Sequence, residues 1–328
     1  MRIAHSAIAT PRRCGLYETT RELVAAERAL GADARIVNPD PQDEHAEDSD
    51  RGVPIADMEW GVNADVIVNH SGFDRTPLTE TEQPVIHVAH GRPLSTFMGE
   101  RAGKAPGLTW QTQRRRKDRY RAAVTFWPEY LPYLENIWAP KPVHCVPPCV
   151  DLGYWQPGTS DYGFHGRRGE HNVVMTDPWS REDSSPYHCI HAFAIFQRKY
   201  MPRARLHMLA WDGNKKGLTG ISNVLGEGGG MVTRWASDVR RIFHAADMLI
   251  TPHRIYTRSI REAMACGLQV VSGRECHPED VEGFADLMHR RRLHPLDTRC
   301  EAGVEFDPLY TAREFLDIVA QHAPAGVT

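Results

Sequence analysis

Ala245–Gly273, AADMLITPHRIYTRSIREAMACGLQVVSG, is the stretch that decides how the chain reads. Met248–Thr251 is a short apolar run suited to a strand buried on both faces. A polar loop follows, then a helical segment from about Ser259 to Ala265 stopped by Gly267, then a second apolar run at Gln269–Ser272. Ser259 offers a short hydroxyl for a helix N-cap, and Glu262 stands three residues on, at capping-box spacing. A helix that starts just past a strand end has N–H groups outside its own ladder and about half a positive charge. Such a place takes a phosphate. The loop and helix add Arg254, Arg258 and Arg261. Guanidinium forks beside backbone N–H groups suit a diphosphate better than a neutral ligand.

Outward from this stretch the same alternation repeats. Arg2–Ala9 reads as a strand, Pro11–Gly15 as a loop, Tyr17–Leu30 as a helix closed by Gly31, and Ala34–Val37 as a second strand, which together make a βαβ unit. Polar Pro41–Gly52 reads as an exposed loop. Further strands are expected at Asp65–Asn69, Val85–Ala89, Ala122–Phe126 and Val143–Val146, with a helix at Glu129–Asn136. After a proline-rich segment the pattern restarts with strand His171–Thr176, helix Pro186–Lys199, strand Arg205–Leu209 and helix Val239–Ala245. Pro308–Gln321 reads as an amphipathic helix. The expected fold class is α/β, with two doubly wound Rossmann-like domains over 1–150 and 151–328 and the last helix able to return to the first.

A chain of 328 residues can bury a core in each of two such domains. The formal net charge of −3 does not describe a general nucleic-acid binder. Seven scattered cysteines argue against a disulfide framework and for a reducing cytoplasm. Met1–Thr10 is too short and polar for a signal peptide, and no apolar run has membrane-spanning length. Cys145 with Cys149, and Cys276-His277, lack zinc-site spacing, so no metal is expected.

Ala246-Asp247, Thr251-Pro252, Glu262-Ala263-Met264-Ala265-Cys266-Gly267 and Gln269-Val270-Val271 together resemble the donor site of retaining, nucleotide-sugar-dependent glycosyltransferases of the GT-B fold, family 4 in particular. Val146-Pro147-Pro148-Cys149-Val150-Asp151-Leu152, with Trp155-Gln156-Pro157, resembles that family's crossing between domains. The resemblance implies two domains facing across a cleft. It also implies transfer of a sugar from a nucleoside diphosphate to a hydroxyl, with retention. Glu262 would bind the ribose hydroxyls, and Tyr256, Thr257, Arg258 and Ser259 would line the donor. Gly15, in the turn Cys14–Glu18, would lie near the diphosphate, Arg181 would clamp it, and His90 would meet the sugar. His90, Arg181 and Arg258 are thus the catalytic candidates.

The chain departs from the family at Arg254, where a glutamate is usual, and at Ile255 and Thr257, which replace glycines. Thr176–Asp183 lacks the family's clamp lysine. A UDP-sugar is taken as co-substrate, with no permanently bound cofactor.

Two features bear on the acceptor. His90-Gly91-Arg92-Pro93 ends a strand, and His87 within that strand is expected in the sheet packing. Arg114–Arg121 is the densest basic run, with Arg290–Arg292 a second. Such runs are usually solvated faces, yet on a near-neutral protein a local patch can meet a polyanion. Arg92, Arg114, Arg115 and Arg116 are the acceptor-binding candidates. Trp179 and Trp211 could stack on a base, although packing is the commoner use of tryptophan. Gly15–Gly31 and His90–Pro93 also resemble glycosyltransferases encoded by bacteriophages, some of which glucosylate hydroxymethylated DNA bases. The expected acceptor is therefore double-stranded DNA with modified bases, with a small molecule or glycan as the alternative. Two rivals stay open: a catalytically weakened nucleotide- or DNA-binding protein, and a GT-B epimerase or phosphorylase. No membrane partner is expected, and the location expected is cytoplasmic, the host's if phage-encoded.

Overall fold

Apolar runs become strands here, and the central ones are buried along their whole length, on both faces. The computed structural model describes residues 1–7, 15–38, 49–70, 77–90, 114–164, 171–176, 186–209, 224–225, 230–233 and 238–326. Met1–Cys149 and Phe306–Thr328 form one unit, and Val150–Glu305 forms the other.

In the first unit the elements run β1 (Arg2–Ser6), α1 (Gly15–Ala29), β2 (Asp33–Val37), β3 (Ser49–Asp50), β4 (Val53–Ala56), α2 (Met58–Val62), β5 (Val66–Asn69), β6 (Val85–Ala89), β7 (Ala122–Thr125), α3 (Leu131–Trp138) and β8 (Val143–Cys145). Their strand order is β3-β4-β2-β1-β5-β6-β7-β8. All pairings are parallel except the short β3–β4 pair, so Ser49–Asp50 is not loop as expected. Every residue of β5, β6 and β7 is buried. Ile67, Val85, Tyr120, Leu134 and Trp138 share one core cluster.

The second unit runs β9 (His171–Met175), α4 (Tyr187–Lys199), β10 (Ala204–Leu209), β11 (Gly230–Thr233), α5 (Val239–Ala245), β12 (Met248–Thr251), α6 (Arg258–Ala265), β13 (Gln269–Ser272), α7 (Val281–Leu293) and α8 (Thr298–Glu305). The order β11-β10-β9-β12-β13 is parallel throughout. Phe193 and Phe196 of α4 meet Phe284 and Met288 of α7 in a core with Val173, Met208 and Ile250. The chain then contributes α9 (Pro308–His322) to the first unit, packed on α1 with Phe315 and Val319 fully buried.

Strand order reverses between β1 and β5, and again between β9 and β12. Ligands of such sheets sit beyond the carboxyl ends of the strands at the reversal. Both reversal pairs are tied at their opposite, amino ends by the same device. The Arg2 N–H donates to Asp65 Oδ2 at 2.7 Å and the Asp65 N–H to the Arg2 carbonyl at 3.0 Å. The Asn172 N–H donates to Asp247 Oδ2 at 2.6 Å and the Asp247 N–H to the Asn172 carbonyl at 2.8 Å.

Glycine ends α6 as the sequence implies. Gly267 has φ +80°, its N–H donates to the Met264 carbonyl, and the Leu268 N–H reaches back to the Ala263 carbonyl. This is the paired C-terminal bonding of a Schellman motif. Gly31 closes α1 in the same way, with φ +95°. An alanine Cβ at 267 would lie 3.4 Å from Pro157 Cγ, which is near-ordinary contact, so the cost there is backbone strain. Gly267→Ala is expected to lower unfolding free energy by about 1 kcal/mol, read from a urea denaturation curve with unchanged slope.

Candidate active site

The loop from Pro252 to Thr257 leaves the carboxyl end of β12, at the reversal, and feeds α6. It is held from behind. The Gly273 N–H donates to the Thr251 carbonyl at 3.1 Å. A Cβ on Gly273 would stand 2.3 Å from the Pro252 carbonyl oxygen, so only glycine fits. The Thr257 N–H turns back to the Ile255 carbonyl at 2.8 Å, which sets where the helix starts.

That start differs from the expected capping box. Thr257 is the N-cap, α6 begins at Arg258, and Ser259 is its second residue. Glu262 therefore lies too far along the helix to close a box. It pairs instead with Arg258 one turn back, Nε to Oε1 at 2.5 Å. The Thr257 hydroxyl makes no capping bond, and among the described residues it is buried without a hydrogen-bond partner. A buried hydroxyl in that state costs free energy that a hydrogen bond would recover. The helical ladder starts with the Arg261 N–H donating to the Thr257 carbonyl, so the N–H groups of Arg258, Ser259 and Ile260 precede it.

Electrostatics point the same way. The first turn of α6 holds no acidic residue and opens on Arg258. Cationic charge at a helix N-terminus opposes the macrodipole. Arg261 is also buried. An anion at the N-terminus would relieve that opposition.

Thr257, Arg258, Ser259 and Glu262 are thus brought together around one helix start. Tyr256 is turned elsewhere. Its ring lies under the Arg274 guanidinium, 3.8 Å from the centroid, and with Ile260 and Met264 it lines a cavity of about 520 Å³ bounded also by Val270, Glu275 and Arg291. Steps of four residues keep that stripe on one face, and Arg258 and Glu262 fall on the other. The cavity is therefore not the predicted donor position. Arg254 is exposed. Arg299 was not anticipated. It donates to the carbonyls of Ala265, Trp155 and Leu152, bracing the far end of α6 against the segment that enters this unit.

In the first unit, Gly15 opens α1 and is exposed. His87 is buried in the sheet, stacked on Trp138 with ring centroids 5.4 Å apart. Burial and the nearby His90 push it down to about 3, against a backbone hydrogen bond at Asn69 that raises it. His90 follows β6 and is half-buried, its Nε2 2.7 Å from His70 Nδ1. Behind it stand His5 and Glu27, two residues absent from the sequence-based set, as was His70. Arg114 and Arg115 are exposed and Arg116 is half-buried. Arg119 of the same run is tied to Glu80 at 2.7 Å, and Lys117 donates to the Ala139 carbonyl. Arg92, Trp179, Arg181 and Trp211 lie outside the described residues.

Solved structures share this architecture. HepE of Anabaena, in complex with UDP and glucose, matches with a TM-score of 0.66 at 10% identity over 98% of this chain and 99% of its own. TarM matches with a TM-score of 0.71 at 8% identity over 98% of each chain. A glycosyltransferase of Rickettsia africae matches with a TM-score of 0.62 at 12% identity, again over 98% of each. The fold is GT-B. No family profile and no curated protein matches the sequence. At such identities the GT-B likeness is one of fold, and chemistry rests on the residues themselves.

The orphaned hydroxyl gives a direct check. Thr257→Val keeps the shape and removes a buried, unbonded oxygen, so unfolding free energy is expected to rise by roughly 1 kcal/mol. A fall of that size in a denaturation experiment would mean the hydroxyl has a partner within the protein.

Proposed function

We propose that the chain is a glycosyltransferase that moves a sugar from a nucleoside diphosphate, a UDP-sugar, to a hydroxyl acceptor. The observation that carries this reading is the start of α6: Arg258, an unpartnered Thr257 hydroxyl and no first-turn acid, at the strand reversal. The presence of UDP and glucose in HepE, which has the same fold, supports a uridine nucleotide.

The chemistry follows from charge. Breaking the bond between the sugar and the diphosphate puts negative charge on the leaving oxygens. Donors already aimed at that charge lower the barrier, each by a factor of roughly 10²–10³ in rate. The N–H groups of Arg258, Ser259 and Ile260, the Thr257 hydroxyl and the Arg258 guanidinium are those donors. When Arg258 turns to the diphosphate, its ion pair opens and the Glu262 carboxylate is released to accept from the ribose hydroxyls. The family resemblance adds Arg181 and Gly15 at the diphosphate, Tyr256 in the donor loop, His90 at the sugar, and retention of configuration. The acceptor proposed is a hydroxymethylated base in duplex DNA, with Arg92, Arg114, Arg115 and Arg116 on phosphates. The exposure of Arg114 and Arg115 supports it. A nucleotide binder that has lost turnover is the second reading, favoured by Arg254 in place of the family glutamate.

Release of UDP from UDP-glucose tests the donor site. Arg258→Ala is expected to lower kcat by about 10², and Glu262→Gln to raise the donor KM roughly tenfold with little change in kcat. Wild-type kinetics in both variants would place the donor elsewhere, and absence of UDP release from the wild type with UDP still bound would leave only the binder. For the acceptor, radiolabel from UDP-glucose is expected in duplex DNA carrying hydroxymethylated bases. Label entering a small glycan and not the duplex would remove DNA.

A further inference from the structure

We propose that Glu27, His5 and His70 form a buried row that dictates which ring nitrogen of His90 carries the proton, which makes them positioning residues for His90. The row is continuous. Glu27 Oε2 lies 2.7 Å from His5 Nε2, His5 Nδ1 lies 2.9 Å from His70 Nε2, and His70 Nδ1 lies 2.7 Å from His90 Nε2. Its members come from α1, β1, the residue after β5 and the residue after β6. The sheet places β1, β5 and β6 side by side, so the row follows from strand order. Glu27 and His5 are wholly buried and His70 nearly so. Phe315 of α9 closes over His5, and Phe126 lies against His90.

A neutral imidazole has one N–H and one lone pair. Burial first, then the neighbouring His90, His5 and His87, hold His70 well below the ordinary histidine range, so it stays neutral. With both nitrogens engaged, it gives at one and accepts at the other, and the row has a single direction. The inner end chooses that direction. Among the described residues Glu27 Oε1 is buried with no hydrogen-bond donor, so a Glu27–His5 pair that is neutral overall, with one proton between Oε2 and Nε2, is the arrangement that leaves no lone buried charge. His5 then donates from Nδ1 to His70 Nε2, and His70 donates from Nδ1 to His90 Nε2. His90 is left in the Nδ1–H form, with Nδ1 as its donor atom. In the Ser-His-Asp triad a buried carboxylate fixes the tautomer of the working imidazole by accepting from it directly; here the carboxyl group acts through two intervening rings and from the donating side.

Nitrogen-15 NMR of histidine-labelled, full-length protein reads the tautomers without any turnover. His70 and His90 are expected as Nδ1–H in the wild type. Glu27→Leu should let His90 relax toward Nε2–H. Glu27→Gln should restore Nδ1–H, because its amide can donate to His5 Nε2. The activity arm alone rests on the role of His90 proposed above. There, Glu27→Leu is expected to lower kcat for UDP-glucose roughly tenfold, and Glu27→Gln to recover most of it. An Nε2–H signal for His70 or His90 in the wild type overturns the row, as does a Glu27→Gln variant indistinguishable from Glu27→Leu. Tautomers that switch as stated, with kcat unmoved, uphold the row and instead remove His90 from the donor reaction. The wild-type spectrum needs no variant to fold.

Discussion

The reversal of strand order is the constraint on which both units depend. Next to each reversal, the connections leave the sheet in opposite directions, and the carboxyl ends of two adjacent strands are left without a common cover. For that opening to be useful the two strands must not slip. Asp65 and Asp247 prevent slippage at the amino ends, each by taking one backbone N–H with its carboxylate while its own N–H returns to the partner strand. A register shift of one residue would break both bonds and turn every side chain to the other face. The consequences differ between the units. In one, the reversal carries the start of α6. In the other, it brings His5, His70 and His90 into one row.

The start of α6 contrasts with the starts of α1 and α7. In α1, Glu18 lies in the first turn and Arg28 in the last. In α7, Glu282 opens and Arg290, Arg291 and Arg292 close. Both agree with the macrodipole, a preference of about 0.3–1 kcal/mol per charge. In α6 the sign at the start is wrong, and the hydroxyl at the N-cap makes no bond. Proteins tend to break local rules where function demands it. The ion pair between Arg258 and Glu262 gives that arginine an acidic partner one turn further along the helix.

Much of the fold was legible because parallel strands buried on both faces read as unbroken apolar runs. Val85–Ala89, Met248–Thr251 and Gln269–Ser272 fall where the sequence puts them, and Gly31 and Gly267 end their helices. Val281–Leu293 was not read as a helix. Gly283 and the arginines at 290–292 mask an apolar face made by Val281, Phe284, Ala285, Leu287 and Met288. The N-cap was misplaced because Thr257 and Ser259 both have the right chemistry. What chooses between them is the Thr257 N–H bond to Ile255, a backbone turn no side chain announces. Arg299 and the histidine row were invisible for a different reason. His5 and His70 are 65 residues apart, and nothing local records that their strands are neighbours.

His87 and His90 show how little residue type decides by itself. They lie three residues apart on one strand and its exit. Inside the strand, His87 faces Trp138 and Tyr120, is stripped of water, and is held neutral far below its ordinary range. It behaves as a flat core residue. One step past the strand end, His90 keeps partial access to solvent and gains a polar neighbour at hydrogen-bond distance. His90 is also among the influences that depress both His87 and His70. Burial separates the two: His87, like His70, is held neutral inside the sheet, while His90 stands where the strand ends.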